Sequence, residues 1–327
     1  DYERPEDLLR DSDTAMYRAK SMGRNSFAVF DDAMHKKVVA TLRLENDLRR
    51  ALARNEFRVF YQPIVAIDDG HIAGFEALVR WQHPERGLLL PGEFIMVAEE
   101  MGAIIQLDRW VAEEACKQLR VWHQKYRAHK RATMSVNLST TQLMRPDVVS
   151  GVDLILRNSG LYGESLKLEV TESVLMENAE YAQAVLEQLR KLKIAISIDD
   201  FGTGYSSLAY LRRFEIDTLK IDYSFVSRML EDEESSEIVR TIITLAKNLG
   251  KDTVAEGVQT RSQFEALIEQ GVNMVQGYVI APPLPREVAE SLLERTAEQP
   301  NHMAKILSDR MQGFAPEPEA AQPNLAN

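Results

Sequence analysis

Residues 194–208 read Ile-Ala-Ile-Ser-Ile-Asp-Asp-Phe-Gly-Thr-Gly-Tyr-Ser-Ser-Leu, a short β-branched run that ends in two acids and a glycine-containing loop. The alternating isoleucines predict a buried strand. The adjacent carboxylates Asp199 and Asp200 repel each other and lose hydration at the end of such a strand, so we expect a positive charge beside them. A divalent cation held by oxygen ligands is one solution. A helix N-cap after the strand is the other interpretation of these acids.

The composition limits the class of protein. A chain of 327 residues has room for one large α/β domain or two ordinary ones. Its net charge of −11 argues against broad binding to duplex nucleic acid or to an anionic membrane surface. The single cysteine, Cys116, excludes an internal disulfide and fits a reducing cytoplasm; we interpret it as a core residue and not as a nucleophile.

No signal peptide and no apolar run long enough to cross a bilayer is found in the sequence. The chain begins at Asp1 without a methionine. We therefore expect it to be cytoplasmic and to be cut from a longer protein, such as a membrane-associated sensor whose membrane part lies elsewhere.

The start of the chain predicts a helix over 6–22, a short strand over 26–30 and a second helix over 32–54. One helix and one strand cannot bury a core, so they form an appendage or the remnant of a neighbouring domain. The predicted organisation is such an N-terminal appendage (1–31), a connector helix (32–45), a main domain (46–296) and a disordered tail (297–327).

Strand and helix patterns alternate through the main domain, after an initial hairpin with the turn Asp68-Asp69-Gly70. Eight strands interleaved with helices over about 240 residues favour a closed (β/α)8 TIM-like barrel over an open doubly wound sheet. The hairpin departs from a strictly parallel barrel. The predicted strands are 57–67, 71–81, 133–138, 166–171, 194–199, 217–221, 252–255 and 273–279, and the helices include 92–101, 104–129, 145–158, 179–192, 205–213, 236–249, 261–269 and 285–295.

Polar side chains lie within or directly after successive predicted strands, at the ends where a barrel carries its chemistry. Singly they have ordinary interpretations: Asn137 can form a turn, and Lys220 can be half of a buried ion pair. Together they are harder to dismiss, because so many buried charges are costly without a counter-ion. The residues are Glu76, Asn137, Glu169, Asp199, Asp200, Lys220, Glu256 and Gln276.

The types of these side chains suggest a chemistry. Carboxylates and an amide, without histidine or thiolate, favour Mg²⁺ or Mn²⁺ over zinc. Such ions suit phosphodiester hydrolysis, since they acidify a water and hold the phosphate. Lys220 is a candidate for positioning that water, or for deprotonating it if the surroundings lower its pKa. Arg80 is a candidate phosphate clamp.

The motifs around these residues resemble the EAL family of cyclic di-GMP phosphodiesterases. Glu76-Ala-Leu-Val-Arg80 is similar to the motif that names the family, and the other matches follow in order over roughly residues 46–296. Three letters alone carry no weight, but the ordered set is highly specific. The other matches are Tyr61-Gln-Pro63, Ser135-Val-Asn-Leu-Ser139, Glu169-Val-Thr-Glu172, 199–208, Leu219-Lys-Ile-Asp222, Ala255-Glu-Gly-Val258 and Gln276-Gly-Tyr278.

The resemblance implies a barrel whose first strand is antiparallel to the rest, and an enzyme that opens cyclic di-GMP to linear pGpG with two Mg²⁺ or Mn²⁺ ions. It implies roles for particular residues, which fall into three groups. Glu76, Asn137, Glu169 and Asp199 would bind one metal, and Asp199 and Asp200 the second. Lys220 would contact the nucleophilic water, Glu256 would support the metals, and Glu172 would anchor the 200–208 loop, which the family couples to a homodimer contact. Gln276 would line the site, with Gln62 and Arg80 as candidate substrate contacts.

Three features stand apart from this pattern. Residues 8–20 are similar to the last helix of a GGDEF diguanylate cyclase domain, but the Gly-Gly-Asp-Glu-Phe signature is absent, so no cyclase activity is implied. Gln259 stands where the family often has a second acid, which predicts reduced activity at worst. The acidic run 231–237 is either a regulatory surface or a solvated approach to a helix; the second is favoured.

Three functional hypotheses remain. An active phosphodiesterase leads, because the set of metal ligands is complete. The alternative from another class is a receptor that binds cyclic di-GMP without cutting it. The third is a barrel hydrolase that acts on a different phosphodiester.

Overall fold

The computed structural model describes residues 32–204, 211 and 213–298, with isolated positions before residue 32. Most of the predicted appendage, most of the predicted helix at 205–213 and the predicted tail from residue 299 onward lie outside the described residues. The helices are α1 (Asp32–Ala51), α2 (Ile95–Glu100), α3 (Ile104–Lys125), α4 (Thr140–Leu143), α5 (Val148–Ser159), α6 (Glu172–Glu177), α7 (Ala179–Lys191), α8 (Tyr223–Arg228), α9 (Glu233–Asn248), α10 (Arg261–Gln270) and α11 (Arg286–Glu298). The strands are β1 (Phe57–Ala66), β2 (Ile72–His83), β3 (Gly87–Leu89), β4 (Thr133–Asn137), β5 (Leu166–Thr171), β6 (Ala195–Phe201), β7 (Thr218–Ile221), β8 (Asp252–Ala255) and β9 (Met274–Val275).

The chain divides into two compact units, of which the first comprises residues 1–57 and 81–103. Its described core is aromatic: the rings of Phe57, Trp81 and Phe94 lie 5.6 to 5.8 Å apart, and all three side chains are buried. The Trp81 indole N–H donates to Glu56 at 3.0 Å. Helix α1 packs on α2 within this unit. The predicted domain boundaries near 31, 45 and 296 stay predictions.

The second unit, residues 58–80 and 104–327, contains a closed barrel of eight strands surrounded by helices. From β4 to β9 each strand is parallel to the next, and β2 is parallel to β4. Strand β1 closes the barrel because it pairs with both β9 and β2, and it runs antiparallel to β9. The predicted barrel with its antiparallel first strand is confirmed.

Strand β6 shows why these sequences form the barrel wall. Ile196 and Ile198 are buried and alternate with Ser197 and Asp199, so one face of the strand packs on the surrounding helices and the other faces the interior. The polar residues of the strands therefore gather inside the barrel. Thr260 and Gln263 form a capping box at the start of α10.

Several predicted elements differ from the structure. The predicted strand 273–279 is reduced to Met274–Val275, so Gln276 follows the strand and does not lie in it. The strand predicted at 194–199 extends to Phe201, so Asp200, expected after it, lies within β6. The predicted helix 92–101 is a 3-10 turn followed by α2. The short elements β3, α4, α6 and α8 carry too little periodicity for the sequence to indicate them.

Candidate active site

An ammonium group lies at the centre of the acidic residues inside the barrel. Lys220 Nζ is 2.5 Å from Glu256 Oε1 and 2.7 Å from Glu169 Oε2. It is 3.0 Å from Asp199 Oδ1 and 3.6 Å from Glu76 Oε2. Lys220 is only 1% exposed, so these ion pairs are shielded from water. Side chains from five different strands or strand ends therefore converge, as the sequence predicted for these positions.

Glu76 on β2 is held by amide groups. Asn137 Nδ2 donates to Glu76 Oε1 at 2.9 Å, and Gln276 Nε2 donates to Glu76 Oε2 at 2.6 Å. Burial alone raises the pKa of this carboxyl. The charge of Lys220 and the two hydrogen bonds outweigh burial, so the pKa of Glu76 is lowered from its ordinary value. Glu76 is thus held ionised in a buried position.

The carboxylates of the adjacent residues Asp199 and Asp200 lie close together because β6 is irregular. The pairing of β6 with β7 shifts register between Ile198 and Phe201, and Asp200 has a left-handed backbone with φ of 52°. In a regular strand, neighbouring side chains point to opposite faces. Here one carboxylate oxygen from each of Asp199, Asp200 and Glu256 lies within 4.8 Å of the other two. The bulge therefore makes a carboxylate cluster out of two consecutive residues.

Burial and mutual repulsion raise the pKa of three carboxyl groups, those of Glu169, Asp200 and Glu256. Burial raises the pKa of Glu169 to about 8 despite the nearby Lys220. Burial, together with the charge of Asp199, raises the pKa of Asp200 to about 6. The pKa of Glu256 is also raised well above its ordinary value, by burial and by Asp199. These raised pKa values indicate a site whose acids outnumber its positive charge.

The pKa of Lys220 bears on the two roles considered for this residue, positioning a water or deprotonating it. Burial lowers this pKa, but Asp199, Glu169, Glu256 and Glu76 together raise it well above its ordinary value. The condition under which Lys220 would deprotonate a water, a lowered pKa, is not met among these acids. Lys220 is a fixed positive charge and hydrogen-bond donor.

The donor atoms of the site suit a hard divalent cation. Two buried oxygens, Glu169 Oε1 and Gln276 Oε1, have no hydrogen-bond partner among the described residues. Buried polar atoms normally have partners. The available donors are carboxylate and amide oxygens, which Mg²⁺ and Mn²⁺ prefer. The described residues thus include an acidic group able to bind a metal ion.

Arg80, near the end of β2 within the barrel unit, is 9% exposed. Its Nη1 donates to Val79 O at 2.8 Å, and the guanidinium lies 5.6 Å from the centre of the Phe60 ring. No carboxylate of the described residues lies within 4.0 Å of its nitrogens. Burial lowers the pKa of Arg80, with Tyr278 and Glu76 opposing. No pattern in the sequence indicated that Phe60 supports Arg80.

Three further predicted features can be located. Glu172 is buried and accepts a hydrogen bond from Gly202 N at 3.1 Å, at the start of the loop that it was predicted to anchor. Residues 205–210 of that loop are not among the described residues. The backbone N–H of Gln259 donates to Gln263 in the cap of α10. In the acidic run, Asp232 caps α9 and accepts from Ser235 N at 3.0 Å, which supports the helix-start interpretation.

Cys116 is fully buried on α3. Burial raises the pKa of its thiol to about 12. A thiol with this pKa is not a nucleophile at neutral pH, so the interpretation as a core residue is confirmed.

The fold and site define a class: an α/β barrel with a carboxylate-rich, metal-compatible centre at the ends of its strands. The profile of the EAL domain matches residues 45–283, and the chain belongs to this family. None of the described helices combines the length and the apolar character that a membrane span requires.

Two curated relatives and one solved structure show the extent of the similarity. The bifunctional diguanylate cyclase/cyclic di-GMP phosphodiesterase MucR of Pseudomonas aeruginosa is 42% identical over 291 residues, covering 89% of this chain and 42% of the relative. The cyclic di-GMP phosphodiesterase NbdA of the same organism is 42% identical over 293 residues, covering 90% and 37%. This chain therefore spans less than half the length of these relatives. A structure described as PaMucR phosphodiesterase in complex with c-di-GMP has a TM-score of 0.74 at 42% identity, over 76% of this chain and 99% of that one.

Proposed function

We propose that this chain is a metal-dependent phosphodiesterase that hydrolyses cyclic di-GMP to linear pGpG. The observation that carries the proposal is the buried cluster of carboxylates around Lys220. This cluster includes oxygen atoms without hydrogen-bond partners among the described residues, which are available to bind cations. Membership of the EAL family supports the substrate, since relatives at 42% identity are named cyclic di-GMP phosphodiesterases.

The residues that would hold the metals follow the sequence prediction. Glu76, Asn137, Glu169 and Asp199 would bind one ion, and Asp199 and Asp200 a second, with Glu256 in support. When bound, such ions acidify a water and hold the non-bridging phosphate oxygens. Four carboxylates lie within 4.0 Å of the Lys220 ammonium, those of Glu76, Glu169, Asp199 and Glu256, and that of Asp200 clusters with Asp199 and Glu256. Four negative charges remain when all five are ionised, which is the charge of two divalent cations.

The chain's own groups have distinct parts in the reaction. Lys220 stays protonated, holds Glu169, Asp199 and Glu256 in place, and donates a hydrogen bond to the attacking water. Arg80, which lacks a carboxylate partner among the described residues, binds the phosphate of the substrate. The unpartnered Oε1 of Gln276 lines the same space.

Further features of the whole protein belong to the same proposal. Mg²⁺ or Mn²⁺ is the cofactor, and the protein acts in the cytoplasm in second-messenger signalling. It forms a homodimer through the barrel domain, with Glu172 coupling the 200–208 loop to that contact. The residues before the connector are the end of a GGDEF domain.

The test is to incubate the purified chain with cyclic di-GMP and MgCl₂ or MnCl₂ and to separate the products by chromatography. We expect pGpG, and none after chelation of the metal. A wild-type protein that binds cyclic di-GMP in calorimetry yet yields no pGpG would contradict the proposal and indicate a receptor. A Glu76→Ala variant separates the two further, because a receptor keeps its ligand response whereas an enzyme loses turnover.

A further inference from the structure

Two buried glutamines form a continuous hydrogen-bonded pair behind Glu76. Gln276 Nε2 donates both to Glu76 Oε2 at 2.6 Å and to Gln62 Oε1 at 3.0 Å. Gln62 Nε2 donates in turn to the backbone oxygen of Ala281 at 3.2 Å. Gln62 is 8% exposed and Gln276 is 4% exposed. We call Gln62 and Gln276 the amide pair.

The far end of the amide pair is attached to rigid backbone. Tyr61, the neighbour of Gln62 on β1, exchanges two backbone hydrogen bonds with Leu284, at 2.8 and 2.9 Å. Ala281 N donates to Gly277 O at 3.0 Å, so the segment that carries the acceptor is also tied to the residue after Gln276. The position of Gln62 is therefore set by the closure of the barrel, at the strand that joins its first and last elements.

This geometry fits a positioning role for Gln62 better than the substrate contact that the family resemblance implied. Its carbonyl oxygen and its amide nitrogen each have a partner inside the protein. With Asn137 on Oε1 and Gln276 on Oε2, both oxygens of Glu76 are oriented before a cation arrives.

We propose that Gln62 is a positioning residue that fixes the Glu76 carboxylate for cation binding, acting only through Gln276. The inference rests on the proposed function in one respect, that Glu76 is a metal ligand. Partners that orient a ligand typically account for 10–100-fold in metal affinity. Loss of Gln62 leaves Gln276 free to turn away, so that Glu76 must be ordered at the moment of binding.

The test measures cation affinity in the absence of dinucleotide. Mn²⁺ is titrated by calorimetry into wild type and into Gln62→Met, which keeps the length of the side chain and removes both polar atoms. We expect the Kd for Mn²⁺ to rise about tenfold, and the KM for cyclic di-GMP at saturating Mn²⁺ to stay unchanged. Gln118→Met is the matched control, since Gln118 is a buried glutamine on α3 that donates to Glu290 away from the site.

A second pair of variants keeps the proposal falsifiable if Gln62→Met folds poorly. Gln276→Met is expected to weaken Mn²⁺ binding at least as much, and Gln62→Met is expected to add nothing in a Gln276→Met or Glu76→Ala background. An unchanged Kd for Mn²⁺ with a raised KM would overturn the proposal in favour of direct substrate contact, and so would additive effects or a wild type that binds no Mn²⁺. If wild type binds Mn²⁺ but makes no pGpG, only the proposed activity fails.

Discussion

Lys220 Nζ lies 2.7 Å from Glu169 Oε2, and both side chains are 1% exposed. Burial raises the pKa of Glu169 to about 8, while the surrounding acids raise that of Lys220. A buried pair is not in itself a source of stability, because desolvation opposes the attraction between the charges. Its value here is to hold three further carboxylates close together, which is the requirement of a metal-binding site.

Replacing Lys220 by Met removes the ammonium and leaves the carboxylates uncompensated. We expect the metal-free protein to lose about 3–5 kcal/mol of unfolding free energy at pH 8, and turnover to fall at least 100-fold. Urea unfolding with and without Mn²⁺, beside a turnover assay, checks both, and Mn²⁺ is expected to restore part of the stability. Lys193→Met is the control, because its ion pair with Glu164 is exposed and its loss changes the unfolding free energy little. Equal losses in the two variants would contradict the prediction.

The raised pKa of Asp200 leads us to expect that metal binding is coupled to the release of protons. Burial and Asp199 raise its pKa from 3.8 to about 6. Between these values the folded protein holds a proton that the unfolded chain has released, so this group's contribution to stability is lost as the pH rises through that window. Cations compete with this proton, so at pH 5.5 metal binding is expected to release protons and to be weaker than at pH 7.5.

Calorimetry in buffers of different ionisation enthalpy measures the proton release at Asp200. Asp200→Asn is the informative variant, since asparagine tolerates the left-handed backbone at this position. We expect it to reduce the release by the share of Asp200, with Glu169 and Glu256 still contributing, to weaken Mn²⁺ binding, and to raise the melting temperature of the metal-free protein above pH 6. Asp153→Asn, on the surface of α5, serves as the control. Undiminished proton release by Asp200→Asn would assign the proton to another group.

A substitution of Arg80 is expected to weaken substrate binding without changing metal binding. Arg80→Lys keeps the charge but loses the planar fork that matches a phosphate and stacks over Phe60. We expect the KM for cyclic di-GMP to rise about tenfold, with the affinity for Mn²⁺ unchanged. Steady-state kinetics at saturating Mn²⁺ and a separate cation titration measure the two quantities. A change in Mn²⁺ affinity alone would place Arg80 with the metal ligands instead.

Gly277 directly follows Gln276, and the backbone around Gly277 leaves no room for a side-chain methyl group. A Cβ at this position would lie 2.2 Å from the backbone oxygen of Val258, in the segment after Glu256. We expect Gly277→Ala to destabilise the fold by about 2–4 kcal/mol and to reduce turnover by moving Gln276. Gly151→Ala, in helix α5 with open space around it, should be neutral or slightly stabilising. Thermal unfolding of both variants decides; equal stability would show that the Val258 segment adapts.

The order of strands and helices could be read from periodicity, because alternation and amphipathic spacing are local properties. Strands such as Leu166–Thr171 and Asp252–Ala255 were predicted with their observed limits. The length of the strand Met274–Val275 was overestimated from the sequence, because it depends on where the neighbouring strands stop pairing and not on the strand's own residues.

The sequence by itself determined which residue types stand at the ends of the barrel strands, and so the chemistry that the site can support. Only the tertiary structure decided how those groups are charged and aimed. The direction of the Lys220 pKa depends on four acids from other strands, and the joint orientation of Asp199 and Asp200 depends on a left-handed residue and a shifted register. Electrostatic interaction depends on the distance between charged groups and on their burial. Both are set only when the barrel closes and brings β1 beside β9.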